Sequence, residues 1–241
     1  MKHIKYLIIY ILSLFCFKKK SKVIFYHDIH SKKKHTNMST HIDLFKDHVQ
    51  MIRNSGYEIV SEITEEYGQI EICFDDGFLG LYENIELIKQ YEIPIHLFIV
   101  NSFLNKKHYL DLKHLKELNN LELITISSHT FNHNTLTDLD EFSLKKELFE
   151  SKSNLENLLG KSIDSICFPK GMFNNTVIDI AKKVGYSKQY SSLPGFYYDK
   201  FQNIVIKRSL VQFVNNSVFK GILKGGDHVF FYWYKLKHFK L

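Results

Sequence analysis

Cysteine, proline and arginine are all scarce in this 241-residue chain. The three cysteines, Cys16, Cys73 and Cys167, share no close spacing, which excludes a disulfide scaffold and a cysteine-based zinc ribbon. Only 3 prolines and 11 glycines stand beside 44% hydrophobic and 15% aromatic residues, so wholesale disorder is excluded. No run reaches about 18 apolar residues, so no ordinary membrane-spanning helix is expected. Two arginines, Arg53 and Arg208, stand against 30 lysines. A nucleic-acid binder shows arginines and interleaved aromatics along one stripe, and these lysines are scattered, so no nucleic-acid partner is expected. The net charge of +6 is what lysine-favouring, A/T-rich coding produces. It also favours anionic surroundings such as a membrane surface. The length corresponds to roughly 1.6 average domains, and no Pro/Gly/Ser linker divides residues 23–234, so one large domain is expected.

The N-terminus carries a twelve-residue apolar run, Tyr6 to Phe17, with Lys2 and Lys5 before it and Lys18, Lys19, Lys20 and Lys22 after it. No small-x-small cleavage site follows, and Cys16 is preceded by Phe15, which argues against signal-peptide and lipoprotein processing. As a helix the run would cover about 18 Å, short of a hydrocarbon core of about 30 Å. Residues 1–22 therefore read as an uncleaved interfacial anchor, its lysines reaching toward lipid head groups. A packing helix at the domain's edge is the first alternative, and a signal peptide, which suits the basic start and the run length, is the second. The expected location is peripheral, on the cytoplasmic face of a membrane, with export as the alternative.

In residues 23–241, short runs rich in β-branched and aromatic residues alternate with helical patterns. Val23–Tyr26, Ile70–Phe74, Ile95–Val100, Leu121–Ser127, Ile163–Phe168, Ile204–Ile206 and Val229–Tyr234 read as strands. Thr40 is placed to cap a helix carrying Ile42, Phe45, Val49 and Ile52. Glu141–Leu159 reads as a helix stopped by Gly160, Val177–Val184 as one capped by Asn175, and Tyr82–Tyr91 as a fourth. The alternation implies α/β architecture with a parallel sheet, either an open doubly wound sheet or a barrel.

Three strands end in residues able to do chemistry. The first runs into Asp75-Asp76-Gly77, two adjacent carboxylates that are costly to bury unpaired. The second precedes His129-Thr130-Phe131-Asn132-His133, two imidazoles four residues apart. Thr130 stands where a zincin needs glutamate, so that reading fails. The third ends in Phe168-Pro169-Lys170-Gly171, a forced turn that offers free backbone N–H groups. Each is weak alone. Together, Asp76, His129 and His133 make a two-nitrogen, one-oxygen ligand set with room for a water, which a catalytic zinc site needs, and Asp75 remains beside it as a base. All three lie at the C-terminal ends of predicted strands, where barrel active sites form.

The sequence resembles the polysaccharide deacetylases, the NodB-homology group of carbohydrate esterases, from about Val23 to Val211. Cys73-Phe74-Asp75-Asp76-Gly77 matches the family's first motif, His129-Thr130-Phe131-Asn132-His133 its second, and Phe168-Pro169-Lys170-Gly171 part of its third. The resemblance implies a distorted (β/α)7 barrel. It implies that Asp75 is the general base and that Asp76, His129 and His133 hold a divalent metal. Zinc is the default, with cobalt or nickel as alternatives. It further implies that the Thr130 hydroxyl steadies the metal loop and that the Lys170 backbone N–H helps to hold an oxyanion.

Two departures from the family pattern shape the remaining expectations. Cys167 stands where the family places an arginine that orients the base, so Arg208 is expected to substitute. The late Leu-x-His motif that supplies the acid is not legible. Tyr26-His27-Asp28 matches the Tyr-His with which some exopolysaccharide deacetylases close their first strand, so His27 is expected to be the acid. The implied activity is removal of acetate from an N-acetylated sugar of a surface glycan or its precursor. The alternatives are an inactive relative that binds glycan and a metal hydrolase of another acetamide. Oligomeric state is not legible.

Overall fold

The computed structural model describes residues 2–13 and 19–240. Cys16, Lys18 and the end of the apolar run, residues 14–17, lie outside the described residues. The strands are β1 (Lys22–Tyr26), β2 (Asp28–His30), β3 (Ser39–His41), β4 (Glu58–Val60), β5 (Gln69–Phe74), β6 (Ile95–Ile99), β7 (Ile124–Ser128), β8 (Ser165–Cys167), β9 (Lys188–Tyr190), β10 (Val205–Ile206) and β11 (Arg208–Leu210). The helices are α1 (Lys2–Ser13), α2 (Ile42–Asn54), α3 (Gly80–Glu83), α4 (Ile85–Gln90), α5 (Leu112–Asn119), α6 (Glu141–Leu159), α7 (Asn175–Val184), α8 (Asn216–Leu223) and α9 (Phe231–His238).

The main sheet is parallel and runs β10-β9-β8-β7-β6-β5-β1-β11, with β4 added beside β5. Its two end strands are separated in sequence by Lys207 alone. The segment first pairs with β9 and then, past Lys207, with β1, so the covalent chain itself completes the ring. With β10 and β11 counted as one bent strand, the ring has seven members. The open doubly wound alternative is thereby set aside.

Strand periodicity explains what faces where. Along β5, Ile70, Ile72 and Phe74 point outward into the large core shared with the helices, while Cys73 packs inside the ring with Val23, Phe25, Phe98, Cys167, Tyr190 and Ile206. Glu71 shares that inner face and is paired with His96 at 2.7 Å, and His96 meets Ser127 at 2.8 Å. The same alternation carries Asp75, the next inward residue, to the upper mouth of the ring.

Helix ends follow the expected chemistry with small shifts. Glu141–Leu159 is observed as read, capped by Asp140 and ended by Gly160 at φ 68°. His41, not Thr40, caps α2, and Asn174, not Asn175, caps α7. The expected helix Tyr82–Tyr91 is broken at Asn84 into α3 and α4. One reading is overturned. Residues 229–234, taken as a strand from their aromatic content, form a 3-10 turn and then α9. Phe230, Phe231, Tyr234 and His238 turn inward at helical spacing, and Tyr232, Trp233 and Leu236 turn outward. Packing of that one side overrides the β-propensity of the aromatics. At the other end of the chain, α1 lies against α8 through Ile9. A Cβ on Gly221 would come within 2.7 Å of the Ile9 side chain.

Candidate active site

The three strand-end segments converge on one cavity of about 360 Å³ at the C-terminal mouth of the ring, a volume within the range of ligand clefts. Asp75, Asp76, His27, His129, His133, Lys170 and Arg208 all line it. Non-glycine residues in the left-handed region cluster here: Asp76 (φ 73°), Thr130 (φ 69°), His133 (φ 60°) and Lys170 (φ 56°). Each marks a point where the loop bends against its own sterics to aim a side chain or an N–H into the cavity. Gly171 is required as glycine, because a Cβ there would lie 1.9 Å from Ser192 Oγ.

Asp76 Oδ1 sits 3.4 Å from His129 Nε2 and 3.4 Å from His133 Nε2. It is buried and has no hydrogen-bond partner among the described residues. An unpartnered buried carboxylate oxygen facing two imidazole nitrogens is the donor arrangement that a divalent cation requires. His129 Nδ1 donates to the Cys167 carbonyl at 2.8 Å, which leaves Nε2 as the nitrogen that a ligand would take on loss of its proton. Burial, and then the neighbouring His129, lower His133 to about 4, so its ring is neutral and able to ligate at pH 7. Two other groups have suitable donors close together: Glu71, Cys73 and His96, and Asp75, His129 and Cys167. In the first, both His96 nitrogens are already hydrogen-bonded. In the second, Asp75 is taken by Arg208. The residues Asp76, His129 and His133 fit a divalent ion best.

Thr130 Oγ1 accepts from the His133 N–H at 3.1 Å, a brace within the loop that carries both histidines. A second brace has no counterpart in the sequence reading. Glu147 of α6, itself buried, accepts from the Asn132 backbone N–H at 2.5 Å and from the Asn132 side-chain amide at 2.9 Å. The run of helix-forming residues around it gave no sign of that role.

Arg208 forms a two-pronged pair with Asp75, Nη1 to Oδ1 and Nη2 to Oδ2, both at 2.8 Å. Its Nε donates to the Ser191 carbonyl at 2.9 Å, and Nη2 also reaches Cys167 Sγ at 2.8 Å. The guanidinium lies over the Phe25 ring, 4.3 Å from its centroid. Burial alone would raise the Asp75 carboxyl. The Arg208 charge and hydrogen bonds outweigh it and hold Asp75 well below the usual carboxylate range. His27, half-buried at the end of β1, is oriented by Gln212: its Nδ1 lies 2.6 Å from Gln212 Oε1. With Nδ1 as donor, Nε2 is left for the cavity. Gln212, 185 residues away in sequence, was not foreseen. Lys170 borders the cavity, and its amine is engaged by Thr135 Oγ1 at 2.9 Å.

The family model described as polysaccharide deacetylase matches residues 63–188. The chain belongs to the polysaccharide deacetylase family. The matched stretch contains both aspartates, both loop histidines and Lys170, but neither His27 nor Arg208. His27 enters the site through the pairing of β1 with β5, and Arg208 through the pairing of β11 with β1. Among curated proteins, YxkH of Bacillus subtilis (strain 168) is 25% identical over 187 residues, 73% of this chain and 66% of that protein. The poly-beta-1,6-N-acetyl-D-glucosamine N-deacetylase of Staphylococcus aureus (strain N315) is 30% identical over 170 residues, 65% of this chain. The chain spans 66% and 58% of the lengths of these two relatives. Among solved structures, the deacetylase PplD of Streptococcus pyogenes, in complex with acetate, superposes with a TM-score of 0.74 at 20% identity, covering 87% of this chain and 99% of that one. IcaB from Ammonifex degensii gives 0.71 at 16% identity, covering 87% and 97%. These likenesses show the fold, an α/β barrel of the deacetylase type.

Proposed function

We propose that the protein is a zinc-dependent N-deacetylase that releases acetate from an N-acetylated sugar of a glycan or glycan precursor. The observation that carries the reading is the orphaned Asp76 Oδ1 facing His129 and His133, beside a carboxylate clamped by Arg208. Asp76, His129 and His133 would hold the ion, and two nitrogens with one oxygen suit zinc. Bound there, a divalent ion would polarise the acetamide carbonyl and supply a water of lowered pKa, which a carboxylate as weakly basic as Asp75 needs.

The chain's own groups account for the rest. Arg208 fixes Asp75 with both oxygens in one plane, so that an oxygen lone pair accepts the water's proton without the carboxylate swinging. The Lys170 N–H, presented by its left-handed backbone, donates toward the carbonyl oxygen as charge builds on it. An amine leaves only when protonated. His27, held through Nδ1 by Gln212, is the group that presents Nε2 to deliver that proton. Phe25, Leu210 and Tyr234 give the cavity apolar walls that limit water. The contact of Arg208 with Asp75 also favours catalysis over an inert glycan-binding role, since an arginine meets the carboxylate although Cys167 stands at the family's position.

Acetate release from N-acetylglucosamine oligomers tests the proposal. The parent should release acetate. Asp75→Asn should keep its zinc and lose about 10²–10⁴-fold in turnover, the usual contribution of a general base. A parent that binds zinc but releases no acetate from any N-acetylated glycan would refute the deacetylase reading.

A further inference from the structure

We infer that α1 and α9 together form one docking surface for an anionic phospholipid bilayer, and that this surface borders the mouth of the catalytic cavity. The expected anchor lay within residues 1–22. The structure adds a second element, which the sequence had disguised as a strand.

The apolar residues involved point away from the protein. Ile4 is 65% exposed, Leu7 58% and Ile11 45% on α1; Tyr232 is 74%, Trp233 55% and Leu236 81% on α9. Large apolar side chains at this exposure on two adjoining helices are far from the scattered pattern of a soluble surface. The two helices are joined beneath their outward faces. Lys5 Nζ donates to Tyr234 OH at 2.7 Å and lies 5.4 Å and 4.7 Å from the Phe230 and Tyr234 ring centroids. On its other side α1 is fixed to α8 by Ile9, which packs where Gly221 and Gly226 leave room for it. No described helix is long and apolar enough to cross a membrane, so a helix pair of this kind lies along an interface.

Charge selects the occupant. Residues 2–13 and 231–240, which contain α1 and α9, hold five lysines (Lys2, Lys5, Lys235, Lys237 and Lys240) and no aspartate or glutamate, against a net +6 for the whole chain, so everything else is close to neutral. The positive charge therefore collects on the two segments that present apolar side chains. Lysines beside tyrosine and tryptophan match the head-group zone of an anionic leaflet. A second copy of this chain would bring like charges face to face.

The cavity adjoins this surface. Tyr234, Lys237 and His238 of α9 line it, together with Leu210, and His238 Nδ1 holds the Lys170 carbonyl at 3.0 Å. Docking would set the mouth at the level of the lipid head groups, where it would meet a sugar carried on a lipid or held at the membrane surface. Only this last step rests on the proposed deacetylase activity. Docking itself does not.

The chain contains a single tryptophan, Trp233, so its fluorescence reports on α9 alone. The full chain is mixed with vesicles of phosphatidylcholine, with and without 30% phosphatidylglycerol. With the anionic vesicles, Trp233 emission should shift to the blue and be quenched by brominated acyl chains. Binding should weaken severalfold at 0.5 M salt. Tyr232→Ser with Leu236→Ser should weaken binding at least tenfold, while turnover of a small soluble N-acetylated sugar stays at the parent level. Emission that ignores vesicles would overturn the inference. So would unchanged binding by the α9 variant, which would leave the anchor to α1 alone. A concentration-dependent blue shift without lipid would assign the surface to a second copy and overturn it equally.

Discussion

Arg208→Met removes both hydrogen bonds to Asp75 while keeping a side chain of similar length. Asp75 is only 3% exposed, and no other cation pairs with it among the described residues. Breaking a buried pair by removing one partner costs about 3–5 kcal/mol when the survivor stays charged. The protein has an escape. With Arg208 gone, burial outweighs the smaller opposing effects of His129 and His27, and the carboxyl rises instead of falling. The variant should then carry a protonated Asp75 near neutral pH and lose about 10²–10⁴-fold in turnover. The stability cost should depend on pH with a defined sign. In the parent, the Asp75 pKa is depressed on folding, so its contribution is present above about pH 4 and disappears only as pH falls through the lower folded value. In the variant the folded value is raised, so stability falls as pH climbs past about 4. Urea unfolding of parent and variant at pH 4 and pH 7 should show a gap that widens toward pH 7. Adding Cys167→Arg to the variant should recover at least tenfold in turnover, because Cys167 Sγ already lies 2.8 Å from Arg208 Nη2. An equal stability gap at both pH values, together with turnover within tenfold of the parent, would refute the assignment of Arg208 as the group that keeps Asp75 ionised.

Three further outcomes are expected. Burial pushes the Asp28 carboxyl to about 6, outweighing the smaller opposing effects of Ser39 and His35. Ionising it at neutral pH costs about 3 kcal/mol, so Asp28→Asn should raise stability at pH 7 by up to that amount and remove a decline between pH 4 and 6. An unchanged pH profile of unfolding would count against it. Glu147→Ala should free the Asn132 turn, cost about 1–3 kcal/mol and weaken zinc binding about 10–100-fold. Zinc affinity equal to the parent's would show that the loop is held without it. Burial works against protonation of His129, but Cys167, Asp76 and Asp75 outweigh it and hold its pKa well above the usual value. Zinc uptake at pH 7 should therefore release about one proton. Calorimetric titrations in two buffers of different ionisation enthalpy would show this, and identical heats would contradict it.

Most of the ring was legible because its strands carry a full alternation of apolar residues. The run Ile70, Ile72, Phe74 is a clear signal, and Ile95–Ile99 is another. What escaped was short or misleading. The strand β9 has three residues, Lys188-Gln189-Tyr190, with polar groups where a core strand is expected. Buried Gln189 is accommodated by donating to the Ile178 carbonyl, a tertiary contact with no local trace. The helix α9 was misread because aromatic content outweighed spacing. The inward set Phe231, Tyr234 and His238 was present in the sequence at helical intervals.

The site divides along the same line. Asp75, Asp76, His129 and His133 were legible because each pair lies within five residues, so a linear motif captures them. The groups that tune them come from distant positions: Arg208 is 133 residues from Asp75, and Gln212 is 185 from His27. A ring of strands makes such substitutions possible. Positions facing inward at one level lie near the same point whichever strand bears them. Cys167, at the end of β8, and Arg208, at the start of β11, meet at 2.8 Å beside one carboxylate. A guanidinium rooted at either position would approach Asp75 from nearly the same side. On the proposed role of Asp75, the requirement is a cation in contact with both of its oxygens, not an arginine at a fixed distance from a proline. A motif written along the chain registers this departure as a loss, whereas the closed ring shows it as a relocation.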